Sequence, residues 1–284
     1  MARNNFSIKP FLKWAGGKRQ LLPEIRKHLP EDLNNYTYYE PFLGAGAVFF
    51  DLMPKKAIIN DFNKQLIIAY TAIKENVNEL IDLLCIHKKM NSKEYYYEMR
   101  NIDRDELKFS KLTNIEKAAR LIFLNKTCFN GLYRVNSQGH FNVPYGENKN
   151  PSICEENSLS QISNYLNSSQ TTIYNKDFEH AVSTADENSF IYFDPPYHSP
   201  CKSNFTGYQA DRFDEEEQER LRNVIITMTN RGVKCLLSNS DTEYIRKLYI
   251  SDCFEIITVQ AYRAINSDST GRGKVNEVII KNWK

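Results

Sequence analysis

The feature that most restricts the fold is a strand, a glycine turn, a helix and a second strand in quick succession. These elements are predicted at Tyr36–Glu40, at Gly44 and Gly46, at Ala47–Met53 and at Ala57–Asn60. Two strands joined through a helix run parallel, because the connection crosses over the sheet. The sequence therefore predicts an α/β fold with a doubly wound, mixed but mostly parallel sheet.

Long helical patterns replace the short strands between about Asn63 and Asn130. Within Asn130–Gly146, two extended arms flank the turn residues 136–139, a pattern typical of a β-hairpin. Residues 148–160 are polar and are predicted to form a loop. The middle of the chain is thus expected to be mainly helical and to carry one hairpin.

Short β-rich runs return in the last part of the chain. They are Thr171–Tyr174, Phe190–Phe193, Val233–Ser238 and Phe254–Val259. Helical patterns at residues 214–229 and 242–249 separate the later runs. We predict a discontinuous catalytic domain, residues 1–62 and 165–284, with an inserted domain at 63–164.

Charge composition excludes a protein that binds nucleic acid through bulk positive charge. The 284-residue chain has 37 Lys and Arg against 35 Asp and Glu, a formal net charge of +2. Cations are nevertheless concentrated near the start of the chain, at Lys13, Lys18, Arg19, Arg26 and Lys27. A locally basic face remains compatible with this composition.

The six cysteines stand far apart in the sequence and form no Cys-x-x-Cys pair. We therefore expect no disulfide framework and no metal. No apolar run approaches the roughly 18 residues of a membrane span, and the first residues lack a signal-peptide pattern. These features predict a cytoplasmic protein without membrane contact.

The glycine turn has the composition of a nucleoside-binding loop. Phe42, Gly44 and Gly46 follow the first strand, where loops of parallel sheets open a crevice for ligands. Asp61 ends the next strand, where its carboxylate can accept hydrogen bonds from two ribose hydroxyls. Phe49 replaces the third glycine of the dinucleotide fingerprint, which disfavours NAD. An ordinary tight turn also explains two glycines taken alone.

The residues Asp194, Pro195, Pro196 and Tyr197 directly follow the apolar run Phe190–Phe193. Two prolines fix the backbone and remove two N–H donors, which leaves carbonyl groups as acceptors. A carboxylate, a carbonyl and an aromatic ring on one rigid loop suit a planar base with an exocyclic amine. We identify these four residues as the candidate catalytic residues.

The Asp-Pro-Pro-Tyr sequence together with Phe-x-Gly-x-Gly resembles the S-adenosylmethionine-dependent, amino-methylating DNA methyltransferases. The blocks Phe11–Lys18, Asn130–Arg134 and Phe141–Gly146 narrow the resemblance to the Dam-type adenine-N6 methyltransferases of the alpha class. The matching blocks extend from Phe11 to about Glu277, in the order in which the family has them. The chain is most similar to the GATC-specific members of restriction–modification systems.

The resemblance implies S-adenosylmethionine as the cofactor and a set of residues that bind it. Asp61 would hold the ribose hydroxyls, and Asp177 and Phe178 would contact the adenine ring. The full set is Trp14, Lys18, Phe42, Gly44, Gly46, Asp61, Asp177, Phe178 and Asp194. Without the resemblance, Trp14 is typical of a core residue and Asp177–Phe178 of an ordinary strand exit.

The expected chemistry is a direct methyl transfer to the adenine amino group. The Asp194 carboxylate and the Pro195 carbonyl would each accept one N6–H, which turns the nitrogen lone pair toward the methyl donor. The target base must leave the duplex to reach these groups. Tyr197 would then stack on the flipped base.

The 130–146 hairpin offers residues that can read base edges. Arg134 suits bidentate contact with guanine, and Leu132 and Pro144 can meet a thymine methyl group. A solvated charge on a hairpin explains Arg134 equally well. The hairpin is therefore the expected DNA-recognition element.

Other DNA contacts are assigned mainly by the resemblance. It implies that Lys13 contacts a guanine and that Phe129 and Asn130 lie where residues insert into the duplex. Arg263 and Arg272 lie in a small, polar segment that suits phosphate binding, although a solvated loop explains it as well. Residues 198–213 are expected to be either a lid over DNA or a surface loop.

The sequence thus predicts a monomeric enzyme that methylates adenine N6 in GATC sites of double-stranded DNA, as the modification enzyme of a restriction–modification system. Two alternatives keep the chemistry but change the substrate, to cytosine N4 or to adenine in RNA. A third is a catalytically silent DNA-binding module with the same fold. An NAD-dependent oxidoreductase is a more distant alternative.

Overall fold

A seven-stranded sheet forms the centre of the computed structural model, which describes residues 8–14, 16–199, 213–262 and 274–284. The strands are β1 (Thr37–Glu40), β2 (Lys56–Asn60), β3 (Gln170–Tyr174), β4 (Ser189–Phe193), β5 (Lys234–Ser240), β6 (Glu255–Tyr262) and β7 (Lys274–Lys281). Their order in the sheet is β3-β2-β1-β4-β5-β7-β6. Strands β1 to β5 pair in parallel, and β7 inserts antiparallel between β5 and β6. The predicted mixed, mostly parallel sheet is confirmed.

Helices connect the strands of the described part of the chain. They are α1 (Leu22–Lys27), α2 (Ala47–Leu52), α3 (Lys64–Glu75), α4 (Val77–Met90), α5 (Lys93–Asn101), α6 (Glu106–Lys111), α7 (Asn114–Thr127), α8 (Glu156–Ser168), α9 (Phe178–Ala181), α10 (Glu215–Asn230) and α11 (Glu243–Leu248). Short 3-10 turns lie at Lys18–Gln20, Leu33–Asn35, Ile102–Arg104 and Phe129–Gly131. Among the described residues, no helix combines the length and the apolar character that a membrane span requires.

Two buried clusters cover the two faces of the sheet. Successive strand residues point to opposite faces, so Tyr38 and Tyr192 join one cluster while Tyr39 and Ile191 join the other. The first cluster contains side chains of α3, α7 and α8, and the second contains side chains of α9, α10 and α11. Helices α3, α7 and α8 of the middle region therefore share a core with the sheet.

The predicted hairpin exists only as a turn with a minimal antiparallel pairing. An isolated bridge joins Val135 to Phe141, and the Asn142 N–H donates to the Arg134 carbonyl at 2.9 Å. The arms do not extend into strands, because several of their backbone groups bond to side chains of a neighbouring helix. The Tyr96 hydroxyl, for example, donates to the Val143 carbonyl at 2.8 Å.

Two other boundaries differ from the prediction. Tyr36 precedes β1, and the segment predicted as a loop over residues 148–160 ends earlier, because α8 begins at Glu156. Leu159 and Ile162 belong to a polar-looking sequence, yet both pack into the first buried cluster. Sparse apolar residues at helical spacing are enough to bury one face of α8.

Candidate active site

Three carboxylates meet at the carboxyl edge of the sheet. Glu40 ends β1, while Asp61 and Asp194 directly follow β2 and β4, and these three strands are neighbours. Ligands of open parallel sheets bind at this edge. The arrangement creates an acidic crevice suited to a ligand that carries positive charge.

The glycine turn binds Asp61 through its backbone. The Gly44 N–H donates to Asp61 Oδ2 at 2.9 Å, and the Asn63 N–H donates to Oδ1 at 2.8 Å. Burial raises the pKa of Asp61 to about 6, although both amide groups act to lower it. The two amides orient the carboxylate and leave it further lone pairs for a ligand.

Gly44 is required by the close approach of Trp14. Its φ is +53°, and an added Cβ would lie 3.1 Å from Cδ1 of the Trp14 ring. The Trp14 ring also stacks on the Tyr133 ring, with centroids 4.8 Å apart. Trp14 therefore forms one wall beside the glycine turn.

Glu40 is a buried carboxyl group that sequence reasoning missed. Burial raises its pKa well above the usual range, although the Tyr38 hydroxyl donates to Glu40 Oε2 at 2.6 Å and acts in the opposite direction. The signal was present in the sequence, since an acid ends the apolar run before Phe42. A cation bound in the crevice would favour the ionised form of Glu40.

Two asparagines join the ends of the first three strands. The Asn60 side chain donates to the Pro41 and Lys176 carbonyls at 3.0 Å each and accepts from the Lys176 N–H at 2.8 Å. The Asn175 side chain donates to the Asp61 carbonyl at 2.8 Å. These bonds fix the loops that present Asp61 and the residues after β3.

Asp194 faces an ammonium group and an aromatic ring. Lys18 Nζ lies 2.8 Å from Asp194 Oδ1 and 4.4 Å from the centroid of the Tyr197 ring, and it donates to the Gly16 carbonyl. Lys18 and Asp194 therefore form a charge-assisted ion pair, and Oδ1 accepts no hydrogen bond from any other described residue. Burial raises the pKa of Asp194 to about 6 against the effect of Lys18, and Glu277 raises it further.

The backbone of the 194–198 loop is held from the neighbouring elements. The Gln218 side chain donates to the Pro196 carbonyl at 2.9 Å, and Asn239 in turn donates to Gln218 at 3.0 Å. The Ser240 hydroxyl donates to the His198 carbonyl at 2.7 Å. No donor among the described residues bonds to the Pro195 carbonyl, which therefore remains an available acceptor.

Tyr197 has a hydrogen-bond partner that the sequence did not predict. Its hydroxyl donates to Glu277 Oε2 on β7 at 2.9 Å, and Glu277 is only 8% exposed. A signal for Glu277 was a carboxylate next to the apolar run Val278–Ile280 of the final strand. This bond fixes the plane of the Tyr197 ring beside Asp194.

The residues after β3 form a second wall. Phe42 and Phe178 lie 5.3 Å apart, and Phe213 contacts both rings. The Asp177 carboxylate accepts two hydrogen bonds from Arg220, at 2.6 and 3.1 Å. Burial would raise the pKa of Asp177, but Arg220 holds it below the usual value. Phe213 and Arg220 extend the predicted set.

Several of the predicted DNA-contacting residues lie on one surface, where the two ends of the 130–146 loop meet. The buried Asn125 side chain accepts from the Lys13 N–H at 3.0 Å and donates to the Lys13 and Gly131 carbonyls. The Phe129 N–H donates to the Pro144 carbonyl at 2.9 Å. The exposed members of this surface are Lys13, Phe129, Asn130 and Pro144.

Arg134 and Leu132 are less exposed than these four residues. Arg134 donates to the Asn142 side-chain oxygen at 2.7 Å and to its carbonyl at 3.1 Å, and Leu132 packs partly against the core. Arg263 and Arg272 lie outside the described residues. The structure thus brings together Lys13, Phe129, Asn130 and Pro144, and Arg134 lies on the same loop as Asn130 and Pro144.

A buried ion pair supports this loop from the helical region. Asp103 Oδ2 lies 2.9 Å from the Arg120 guanidinium and accepts from the Phe141 N–H at 2.8 Å. Arg104 donates to the Phe141 carbonyl at 3.2 Å. Local sequence patterns do not predict this support, because Asp103 precedes Phe141 by 38 residues.

Comparisons with known proteins agree with the geometry. Residues 14–265 match the family model of D12 class N6 adenine-specific DNA methyltransferases. The chain is 44% identical to the type II methyltransferase M1.LlaDCHI of Lactococcus lactis subsp. cremoris, over 100% of this chain and 98% of that protein. It is 41% identical to the type II methyltransferase M.MjaIII of Methanocaldococcus jannaschii, over 97% and 99%. It is 32% identical to the DNA adenine methylase of Escherichia coli K12, over 95% and 94%.

Proposed function

The chain belongs to the D12 class N6 adenine-specific DNA methyltransferase family, and we propose that it transfers the methyl group of S-adenosylmethionine to adenine in GATC sites of duplex DNA. The observation that carries the mechanism is the Asp194 carboxylate, paired only with the Lys18 ammonium among the described residues, beside the Pro195 carbonyl and the Tyr197 ring. Two acceptors and a stacking surface fit an aromatic amine with two N–H groups.

The residues at the sheet edge fit the proposed cofactor. The sulfonium and ammonium groups of S-adenosylmethionine are cationic, and three carboxyl groups surround the crevice. Asp61, oriented by two amides, suits a ribose diol, and the Phe42–Phe178 wall suits an adenine ring. Asp177 would accept from the adenine amino group with the lone pairs that Arg220 leaves.

The protein contributes orientation and electrostatics to the reaction. When bound, S-adenosylmethionine supplies an activated methyl group on a positively charged sulfur. Asp194 and the Pro195 carbonyl each accept one N6–H, so that the nitrogen lone pair is no longer held in the ring plane. Asp194 is too weak a base to deprotonate a neutral amine, and the proton leaves during or after the in-line transfer.

Lys18 occupies the position beside Asp194 that the N6 amino group of the target adenine would take. Its ammonium contacts the Asp194 carboxylate and the Tyr197 ring, the two groups that the base would use. Entry of the adenine therefore requires Lys18 to move away from Asp194. The ammonium also compensates the charge of the buried Asp194 carboxylate.

We propose that DNA binds at the surface formed by Lys13, Phe129, Asn130 and Pro144. The target adenine cannot reach Asp194 within a duplex, so base flipping is required. Phe129 is 51% exposed on this surface and is the residue best suited to fill the space that the base leaves. Lys13, Arg134 and Pro144 would contact the flanking base pairs.

The target sequence and the biological role rest on resemblance. The names of the Lactococcus and Methanocaldococcus proteins, both type II methyltransferases, support a modification enzyme of a restriction–modification system. We also propose a monomer, with residues 1–62 and 165–284 as the catalytic domain and 63–164 as the DNA-recognition domain. The shared core makes the second domain dependent on the first for folding.

The experiment that tests this function uses methyl-labelled S-adenosylmethionine and two duplexes that differ only by GATC or GTTC. Label on N6-methyladenine in the GATC duplex alone is the expected result. Equal label in both duplexes would refute the proposed target sequence. Label on cytosine N4, or label on an RNA substrate alone, would refute the proposed base or nucleic acid. Failure to bind the cofactor would favour a silent DNA-binding module.

A further inference from the structure

Two cysteines that lie far apart in the sequence meet on the helical region, outside the site described above. Cys85 belongs to α4 and Cys154 precedes α8, and their sulfur atoms are 3.0 Å apart. Glu156, the first residue of α8, brings Oε1 to 3.5 Å from the Cys85 sulfur. All three ligand atoms lie within 4.8 Å of one another.

We propose that Cys85, Cys154 and Glu156 form a binding site for a thiophilic divalent cation such as Zn²⁺, with water completing the coordination. Thiolates and a carboxylate are ligands that zinc accepts in tetrahedral sites. Binding releases the thiol protons to the solvent and leaves the oxidation state of both sulfurs unchanged.

The distances are close to those of a coordinated cation. With Zn–S bonds of about 2.3 Å and a Zn–O bond of about 2.1 Å, tetrahedral angles place two sulfurs about 3.8 Å apart and sulfur and oxygen about 3.6 Å apart. The observed Cys85–Glu156 distance of 3.5 Å agrees with the second value. The sulfurs must separate by only about 0.8 Å, a shift that side-chain rotation supplies.

The carboxylate distinguishes this cluster from a pair that simply forms a disulfide. A negative group beside Cys85 disfavours the thiolate that attacks in disulfide formation, whereas it adds a third ligand for a cation. The neighbouring Glu155 is already paired with Lys126, at 2.5 Å. Glu156 forms no ion pair with any described residue, and its carboxylate is exposed, so a cation can reach the site from solvent.

Such a site would connect α4 to the start of α8. The absence of a Cys-x-x-Cys pair led to the expectation of no metal, but 69 residues separate Cys85 from Cys154. Spacing rules detect sites made by one local segment. This cluster arises only because the two helices pack together.

The test uses the full-length protein after reduction and removal of metal with a chelator. Cd²⁺ is titrated in as the probe, and the sulfur-to-cadmium charge-transfer absorption in the ultraviolet reports thiolate ligation. One equivalent is expected to bind with this absorption, and Zn²⁺ is expected to displace it. Cys85→Ser and Cys154→Ser should each abolish the one-equivalent band, while Glu156→Gln should keep the band and weaken binding about tenfold or more.

Cys253→Ser is the matched control, because Cys253 is exposed and belongs to another part of the molecule; it should bind like the wild type. Binding that is unchanged in Cys85→Ser and Cys154→Ser would overturn the proposal. A wild-type protein that takes up no Cd²⁺ and whose mass is lower by two hydrogens after mild oxidation would overturn it in favour of a disulfide. If a serine variant fails to fold, Glu156→Gln alone decides: unchanged affinity contradicts the site.

Discussion

The catalytic edge of the sheet and the 130–146 loop are stabilised in different ways. At the edge, strand ends present Asp61 and Asp194, and side chains from neighbouring strands fix the loops, as Asn60 does for Pro41 and Lys176. In the 130–146 loop, helix-borne side chains such as Tyr96 satisfy backbone groups that a hairpin would pair internally. The proposed chemistry therefore depends on the sheet, whereas the proposed recognition surface depends on the helical region.

This difference allows the two properties to change separately. Substitutions at the edge should alter turnover while DNA binding is retained. Substitutions beneath the loop should alter stability or sequence discrimination while the chemistry at Asp194 remains intact. Each prediction below tests one side of this separation.

The largest expected effect is on turnover in Asp194→Ala. In the proposed mechanism the variant loses the carboxylate that would accept an N6–H, and we expect methylation to fall by at least about 10²–10³-fold. DNA affinity should change little, because Asp194 lies in the crevice. Single-turnover methylation and fluorescence anisotropy with the same duplex measure the two quantities.

The exposed Asp252 provides a matched control. Asp252→Ala should methylate at the wild-type rate. Near-normal turnover in Asp194→Ala would remove Asp194 from the mechanism.

The second prediction concerns the buried ion pair beneath the loop. Asp103→Ala leaves the Arg120 guanidinium buried without its carboxylate and removes the acceptor of the Phe141 N–H. Breaking a buried pair in this way lowers the free energy of unfolding by about 3–5 kcal/mol. Arg120 keeps its hydrogen bonds to the Met99 and Arg100 carbonyls in this variant. We therefore expect a loss near the lower end of this range.

Urea-induced unfolding measures this loss. Asp103→Asn keeps an acceptor for the Phe141 amide and should lose less stability than Asp103→Ala. Equal losses in the two variants would show that the hydrogen bond to the loop contributes nothing.

The third prediction tests recognition. If Arg134 reads guanine, Arg134→Ala should reduce discrimination at one base pair by about 1–3 kcal/mol. Methylation rates on duplexes with each single substitution in GATC measure this discrimination. Arg134→Lys keeps the charge but loses the bidentate geometry, so it should show the same reduction. An equal loss of affinity for all duplexes would instead indicate a phosphate contact.

The fourth prediction is a pH dependence. The pKa values of Asp61 and Asp194 are both raised to about 6 by burial, so both groups lose their charge as the pH falls through that value. We expect kcat/KM to fall below about pH 6, with a slope approaching two protons. Asp61→Asn should reduce the slope of log kcat/KM against pH to one proton. An unchanged slope would show that Asp61 does not contribute to the fall in kcat/KM at low pH.

The raised pKa values of Asp61 and Asp194 also determine whether the free energy of unfolding rises or falls with pH. Raised pKa values mean that the folded protein binds more protons than the unfolded chain between about pH 4 and 6. The stabilising contribution of these protons is complete below the unfolded pKa and is lost as the pH rises through about 6. Asp194→Asn should therefore flatten part of the decline in unfolding free energy over this range.

The smallest expected effect is that of Tyr197→Phe. Ring stacking is retained, but the buried Glu277 carboxylate loses its hydroxyl donor, a cost of about 1–3 kcal/mol. We expect a severalfold fall in kcat with little change in DNA affinity. Tyr197→Ala also removes the ring and should be much more impaired; equal activity of the two variants would exclude stacking.

The sequence predicted the parts of the site that follow directly from local patterns. Asp61 and Asp194 directly follow predicted strands, and parallel pairing brings their ends to one edge. Glu277 and Gln218 could not be predicted in this way. Each reaches the Asp194 loop through the order of the strands or through helix packing, which local periodicity does not determine.

The hairpin prediction was partly wrong for a related reason. Its turn chemistry is local, and the Val135–Phe141 bridge confirms it. Its arms lack strand pairing because partners for their backbone groups come from side chains near Tyr96 and Asp103. An alternating sequence pattern does not show whether the backbone groups of the loop will bond to each other or to side chains of another element.

The position of β7 has a consequence for protein synthesis. This strand lies last among the seven in the sequence, yet it inserts between β5 and β6 and carries Glu277. A nascent chain can therefore pair β1 to β5 while Tyr197 still lacks the acceptor of its hydroxyl. The loop that carries Asp194 and Tyr197 is therefore fully bonded only after the ribosome has translated the codons of β7.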